Sequence, residues 1–82
     1  MTDIISSSVG KFVTIEGLVT EEQYVSITID DPNGNTIFKT NIKTTETGEF
    51  YLLWIAPSDS VGTHIVTVID IFGKTISTTI DI

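Results

Sequence analysis

Residues with a branched Cβ dominate this chain. Isoleucine and threonine each occur fourteen times and valine seven times, so 35 of the 82 residues are β-branched, against one alanine and three leucines. Branching at Cβ restricts the side chain in a helix and suits the pleated surface of a strand. The composition therefore predicts strands rather than helices.

Alternation of apolar and polar residues marks about seven short strands. Residues 24–30 give the clearest one, with Val25, Ile27 and Ile29 on one face. The Asn33-Gly34 pair that follows predicts a hairpin turn, since both residue types tolerate positive φ. Residues 36–44 carry lysines on their polar face and are predicted to form an edge strand. Further strands are predicted at residues 11–20, 50–55, 63–70 and 75–82.

These strands, with polar turns and no helical segment between them, predict one domain of two antiparallel sheets packed face to face. The domain is expected to span residues 11–82. Residues 1–10 are predicted to be an N-terminal tail or linker, with room for a short pairing strand around Ile4 and Ile5. The predicted core consists of Val13, Ile15, Val25, Ile27, Ile29, Phe38, Ile42, Phe50, Leu52, Trp54, Val66, Val68, Ile76 and Ile80.

Charge and composition exclude several classes of function. Four lysines, no arginine and eleven carboxylates give a net charge of −7, which repels nucleic acid and anionic membrane surfaces. No apolar stretch is long enough to insert into a membrane. The chain has no cysteine and a single histidine, so it offers neither a thiolate metal site nor a histidine cluster. No cofactor is expected.

Several turns and strands carry a resemblance to known modules. The run from Val25 to Asn35, the segment Thr47-Gly-Glu-Phe50, and the stretch from Ala56 through Thr63 into Asp70 resemble the immunoglobulin-like modules repeated in archaeal and bacterial surface proteins. They are also similar to MG2-type domains of the macroglobulin family. The resemblance implies an immunoglobulin-like antiparallel β-sandwich. The Cys…Trp…Cys pattern of antibody domains is absent, so Trp54 is expected to pack without a disulfide.

The hairpin turn after residue 30 has the oxygen spacing of a calcium loop. Asp31, Asn33 and Asn35 lie at positions one, three and five of such a loop. Position twelve would be Ile42, where a helix–loop–helix calcium site requires glutamate, so that class of site is excluded. The alternatives left are a looser calcium site and a solvated hairpin turn.

Catalytic patterns are weak. His64 with Asp59, Asp70 and nearby serines invites a triad interpretation, but no serine lies in a Gly-x-Ser-x-Gly turn. His64 is predicted to be a strand residue near the end of a sheet, partly covered. The acidic pairs Glu21-Glu22 and Asp30-Asp31 lie in polar segments and are predicted to be solvated. The chain is therefore not expected to be an enzyme.

Aromatic and aliphatic residues suggest two binding surfaces. Tyr24, Tyr51 and Trp54 could form a platform for a sugar ring, although Trp54 shares a face with the predicted core. The opposite face of the same strand is apolar as well, and a sheet that is apolar on both faces usually has a partner. The predicted interface consists of Tyr51, Leu53, Ile55, Ile65 and Ile69. A reversed register, or cover from the N-terminal residues, is the alternative.

These observations predict a non-catalytic immunoglobulin-like module. Its expected role is that of a structural spacer or protein-docking unit in a larger cell-surface or secreted protein. Its expected partners are neighbouring domains of the same chain or further copies of itself. The alternative is a ligand-binding module for a glycan or an adhesion partner, with calcium as a bridge.

Overall fold

The computed structural model describes residues 3–82 and consists of seven antiparallel strands with no helix among them. The fold is all-β, as the sequence predicts. The strands are β1 (Asp3–Val9), β2 (Phe12–Leu18), β3 (Tyr24–Asp30), β4 (Thr36–Lys43), β5 (Glu49–Ile55), β6 (Thr63–Ile69) and β7 (Thr75–Asp81).

The strands form two sheets that pack as a β-sandwich. One sheet has three strands in the order β1-β2-β5, and the other has four in the order β4-β3-β6-β7. Adjacent strands in each sheet are antiparallel. The chain crosses from one sheet to the other after β2, β4 and β5. The predicted edge position of β4 is confirmed.

The core lies between the sheets and is built from the inward-facing residues of each strand. All fourteen predicted core residues belong to it: ten are buried, and Phe38, Ile42, Leu52 and Ile76 are partly buried against them. The core also includes residues that the alternation pattern did not identify. These are Ile4, Val19 and Ala56, together with the partly buried Ile82.

The N-terminal segment differs most from expectation. The sequence predicted a tail or linker with room for a short strand around Ile4 and Ile5. The structure has a longer strand, in which Asp3–Val9 pair with β2 along their whole length and Ile4 enters the core. The Ser6-Ser7-Ser8 run obscured this strand, because serine side chains favour local hydrogen bonds over strand pairing. Ser7 and Thr14 instead share a hydrogen bond across the two strands.

Three connections use the same five-residue turn. They are residues 31–35, 45–49 and 70–74. In each, a side-chain oxygen of the first residue, Asp31, Thr45 or Asp70, accepts the backbone N–H of the fifth. The fourth residue is glycine with positive φ in all three. An Asp or Thr three positions before a glycine is therefore the sequence signal of these turns.

A buried glutamine joins two of the loops. The Gln23 side-chain oxygen accepts the N–H of Ile71, and its amide nitrogen donates to the Glu21 carbonyl. Its backbone exchanges hydrogen bonds with Thr44. Gln23 is 6% exposed, so these bonds satisfy a polar side chain that burial would otherwise destabilise.

Candidate functional site

The most prominent surface feature is the outward side of the three-stranded sheet. Seven large apolar side chains are exposed there, and we call them the outer apolar face: Ile5, Val9, Phe12, Leu18, Tyr51, Leu53 and Ile55. Val9, Phe12 and Ile55 lie side by side across the three strands. Their exposed fractions run from 41% for Leu18 to 79% for Val9.

The apolar surface of this face is large for a domain of this size. The seven side chains together expose on the order of several hundred Å² of apolar surface, with Ser7, Thr14 and Glu16 between them on the same side of the sheet. The largest apolar patch on a typical monomer is about 300–600 Å². A standard protein–protein interface uses about 800 Å² on each partner. The outer apolar face is therefore large enough to serve as most of one side of an interface.

The face arises because β5 is apolar at every position after its first residue. Phe50, Leu52 and Trp54 point into the core, so period-two alternation turns Tyr51, Leu53 and Ile55 outward. The two neighbouring strands then bring their own outward residues alongside. In a sandwich of two sheets, burying one face of such a strand turns the other toward solvent.

Two of the five predicted interface residues lie elsewhere. Ile65 and Ile69 belong to β6, which is in the four-stranded sheet, so their outward side is the opposite surface of the sandwich. The prediction that all five form one surface is therefore wrong. The N-terminal hairpin supplies the rest of the face, with Ile5 and Val9 on β1 exposed beside β2.

Acidic side chains lie among the apolar ones at one end of the face. Glu16 is on the central strand, directly between Ile5 and Tyr51. Glu49 starts β5. The other end, around Phe12 and Ile55, has no charged side chain in these three strands. A partner that covered the whole face would have to bury Glu16, which is costly without a cation opposite it.

A second feature is an open depression of about 500 Å³ between loops at one end of the sandwich. It is lined by residues that include Asp31, Pro57, Asp59 and His64. His64 is only 1% exposed, and its Nδ1 lies 2.9 Å from the Gly62 carbonyl oxygen. The prediction that His64 is a strand residue near a sheet end is confirmed, although it is more deeply buried than expected.

The residues of the triad interpretation are not brought together. Asp59 and His64 both line the depression. Asp70 follows the other end of β6, six residues from His64, which corresponds to about 20 Å along an extended strand. Its Oδ1 accepts the N–H groups of Phe72 and Lys74 at 2.9 Å each. Asp70 thus caps a turn and does not orient the histidine.

The calcium-like spacing of Asp31, Asn33 and Asn35 has a structural explanation. Asp31 Oδ1 accepts the backbone N–H groups of Asn33 at 3.0 Å and Asn35 at 2.9 Å. The Asp70 turn makes the same pair of bonds without oxygen ligands at its third and fifth positions. The turn geometry therefore accounts for Asp31. Within residues 3–82, no three His, Cys, Asp or Glu residues are placed to hold a metal ion.

The aromatic residues considered for a sugar platform point to different places. Trp54 is 7% exposed and its ring packs on Phe38, with centroids 5.9 Å apart. Tyr51 is exposed on the outer apolar face, and Tyr24 is exposed on the other sheet. The structure therefore does not assemble these three side chains into one platform.

We expect Asp70 to make the stability of the domain sensitive to acid. Burial alone would raise the pKa of Asp70, but the N–H groups of Lys74 and Phe72 stabilise the carboxylate and hold the pKa below its ordinary value of 3.8. A lowered folded-state pKa stabilises the fold fully above the unfolded-state pKa, and this contribution is lost as the pH falls through the folded-state pKa.

We therefore expect the urea midpoint to fall as the pH drops below about 4, and Asp70→Asn to lose less stability over that range than the unsubstituted domain. The measurement is urea denaturation followed by circular dichroism at a series of acidic pH values. An equally steep acid loss in Asp70→Asn would contradict the assignment.

Among the described residues, no helix could cross a membrane. Comparison with known protein families and with curated proteins finds no match to this chain.

Proposed function

We propose that this chain is a non-catalytic immunoglobulin-like module. It serves as a structural spacer or protein-docking unit of a larger cell-surface or secreted protein. The observation that carries this proposal is the outer apolar face, because a face of this size on an otherwise acidic domain is typical of a surface that is covered by another protein.

The arrangement of strands supports the immunoglobulin-like part of the proposal. Strands 1, 2 and 5 share one sheet while strands 3, 6 and 7 share the other, which is the partition found in immunoglobulin sandwiches. Strand 4 joins the second sheet. Trp54 packs in the core without a disulfide, since the chain has no cysteine.

The buried state of His64 supports the non-catalytic part. A nucleophile or general base must reach its substrate, and His64 is almost wholly covered and bonded within its own chain. The turn aspartates Asp31 and Asp70 are engaged with backbone N–H groups. These contacts give the polar side chains a role in the fold.

A thermal-shift assay tests the proposal against a ligand-binding module. We expect the Tm to stay constant when calcium or a panel of glycans is added. A ligand present at a hundred times its dissociation constant would add about 2.7 kcal/mol, which corresponds to a rise of roughly 10 °C or more for a domain of this size.

Two results would contradict the proposal. One is a calcium-dependent rise in Tm that disappears in Asp31→Asn but persists in Glu21→Gln, which removes an exposed carboxylate away from the depression. The other is hydrolysis of an ester, peptide or glycoside substrate by the purified domain that is lost in His64→Ala while the fold is retained.

A further inference from the structure

The free edge of β5 is the least protected edge of the sandwich. The opposite sheet ends in β4, which carries Lys39 and Lys43. The pairing of β4 with β3 shifts register between Ile29 and Asp30, as at a β-bulge. Charges and bulges of this kind hinder pairing with another chain. β1 and β7 lie against each other, with Ser8 Oγ donating to the Asp81 carbonyl at 2.9 Å. Among residues 3–82, no strand lies beyond β5.

Hydrogen bonds at the two ends of β5 show which of its backbone groups face β2. The Gly48 carbonyl accepts the N–H of Val19 at 2.8 Å, just before the strand. The N–H of Ala56 donates to the Lys11 carbonyl at 2.8 Å, just after it. Groups that bond to one neighbour alternate along an antiparallel strand. The even-numbered residues therefore bond toward β2.

The odd-numbered residues point their backbone groups the other way. Glu49 confirms this, because its carbonyl accepts the N–H of Thr45 at 2.8 Å and its N–H donates to Thr45 Oγ1, both on the side away from β2. The N–H and C=O groups of Tyr51, Leu53 and Ile55 consequently face outward along the free edge. They form three donor–acceptor pairs in a row that a further strand can bind.

We propose that a second copy of this chain binds there, pairing β5 with β5 in an antiparallel arrangement about a two-fold axis at Leu53. Leu53 then faces Leu53 of the other copy, and Tyr51 faces Ile55. This register uses all six outward-facing backbone groups in hydrogen bonds and places apolar side chains directly opposite each other. The inference rests on the proposed docking role and names its partner.

Charge favours this arrangement over stacking of two outer apolar faces. Glu49 is the one charged residue of β5, and in the proposed register it lies opposite Pro57 of the other copy. The two Glu49 carboxylates are then separated by eight residues, about 25 Å, well beyond the Debye length of about 8 Å. Glu16 stays in water. Stacking the faces would instead bury Glu16 of both copies without a cation.

The expected area indicates a reversible dimer. Two paired seven-residue strands and their facing side chains bury about 1,000 Å² in total, at the low end of specific interfaces. The dimer joins two three-stranded sheets into a continuous sheet of six strands. We expect a dissociation constant in the micromolar range or weaker.

Sedimentation analysis of the whole chain over a range of concentrations, up to about 1 mM, tests the dimer. We expect the apparent mass to rise from 9.0 kDa toward twice that value. Leu53→Lys should keep the mass at that of the monomer, because it places two cations directly opposite each other. Leu53→Pro should have the same effect, because it removes an N–H that bonds to the other copy in the dimer. The monomer does not use this N–H, so its fold should be retained.

Phe12→Lys is the matched control, because Phe12 lies on the outer apolar face but on β2. It should leave edge pairing intact. Loss of the dimer in Phe12→Lys but not in Leu53→Lys would overturn the proposal in favour of face stacking. A strictly monomeric chain would also overturn it, while leaving the spacer role in place.

Cross-linking tests the register. The chain has no cysteine, so Leu53→Cys introduces a single thiol. Directly opposed residues of a hydrogen-bonded pair have Cα atoms about 5.5 Å apart, within the range that a disulfide spans. Under mild oxidation Leu53→Cys should form covalent dimers faster than Phe12→Cys. Equal rates would contradict pairing at Leu53.

Discussion

Replacing Trp54 with alanine is expected to lower the free energy of unfolding by about 3–5 kcal/mol, the usual cost of removing a buried indole. Trp54 is 7% exposed and packs on Phe38 between the sheets. A domain of this length has a total stability of about 4–12 kcal/mol, so the substitution should remove a large share of it. Urea denaturation followed by far-ultraviolet circular dichroism measures the change.

Tyr51→Ala is the matched control for this substitution. Tyr51 is three residues away on the same strand, but its side chain is on the outer apolar face and 59% exposed. It should cost less than about 1 kcal/mol. Similar losses for Trp54→Ala and Tyr51→Ala would mean that the two faces of β5 are not divided between core and surface in this way.

Gly48→Ala is expected to destabilise the domain by about 3 kcal/mol, since it adds φ strain and displaces a hydrogen-bonded backbone. Gly48 has a φ of 89° and lies in the connection between the two sheets. A Cβ there would clash with the Val19 carbonyl, and Val19 N–H donates to the Gly48 carbonyl at 2.8 Å. The midpoint of urea denaturation measures the loss.

Gly73→Ala separates the two causes. Gly73 occupies the same position of the same type of turn, with a φ of 83°, but a Cβ there would meet no atom within 4 Å. Only the φ strain applies, and the expected cost is about 1–2 kcal/mol. If Gly73→Ala proved as destabilising as Gly48→Ala, the close approach to Val19 would not be the reason.

Most of the fold was predictable because its determinants are local. Alternation located β3 at its observed bounds. Every residue of β2, β5, β6 and β7 that it assigned to the core lies in the core or packs against it. The Asn33-Gly34 pair located the hairpin between β3 and β4. Each of these signals acts over a few residues, and the strands and the turn that it predicts are present in the structure.

The errors have physical reasons as well. The serines of β1 have little intrinsic preference for strands, and that segment is extended because it pairs with β2. The spacing of Asp31, Asn33 and Asn35 resembles a set of metal ligands, but a backbone turn that needs one acceptor explains it. The role of Gln23 has no local signal, since nothing in the neighbouring residues shows that its side-chain oxygen reaches the N–H of Ile71.

The outer apolar face shows what alternation along the sequence determines and what only the pairing of distant strands decides. Period-two alternation shows from the residues alone that Tyr51 and Leu53 face away from Trp54, and that Ile65 faces away from Val66. Whether Leu53 and Ile65 share a surface depends on which sheet each strand joins. That choice is made by pairing between distant segments, for which neighbouring residues carry no signal. The chain therefore encodes the two sides of every strand locally, whereas the assembly of those sides into a surface emerges when the sheets form.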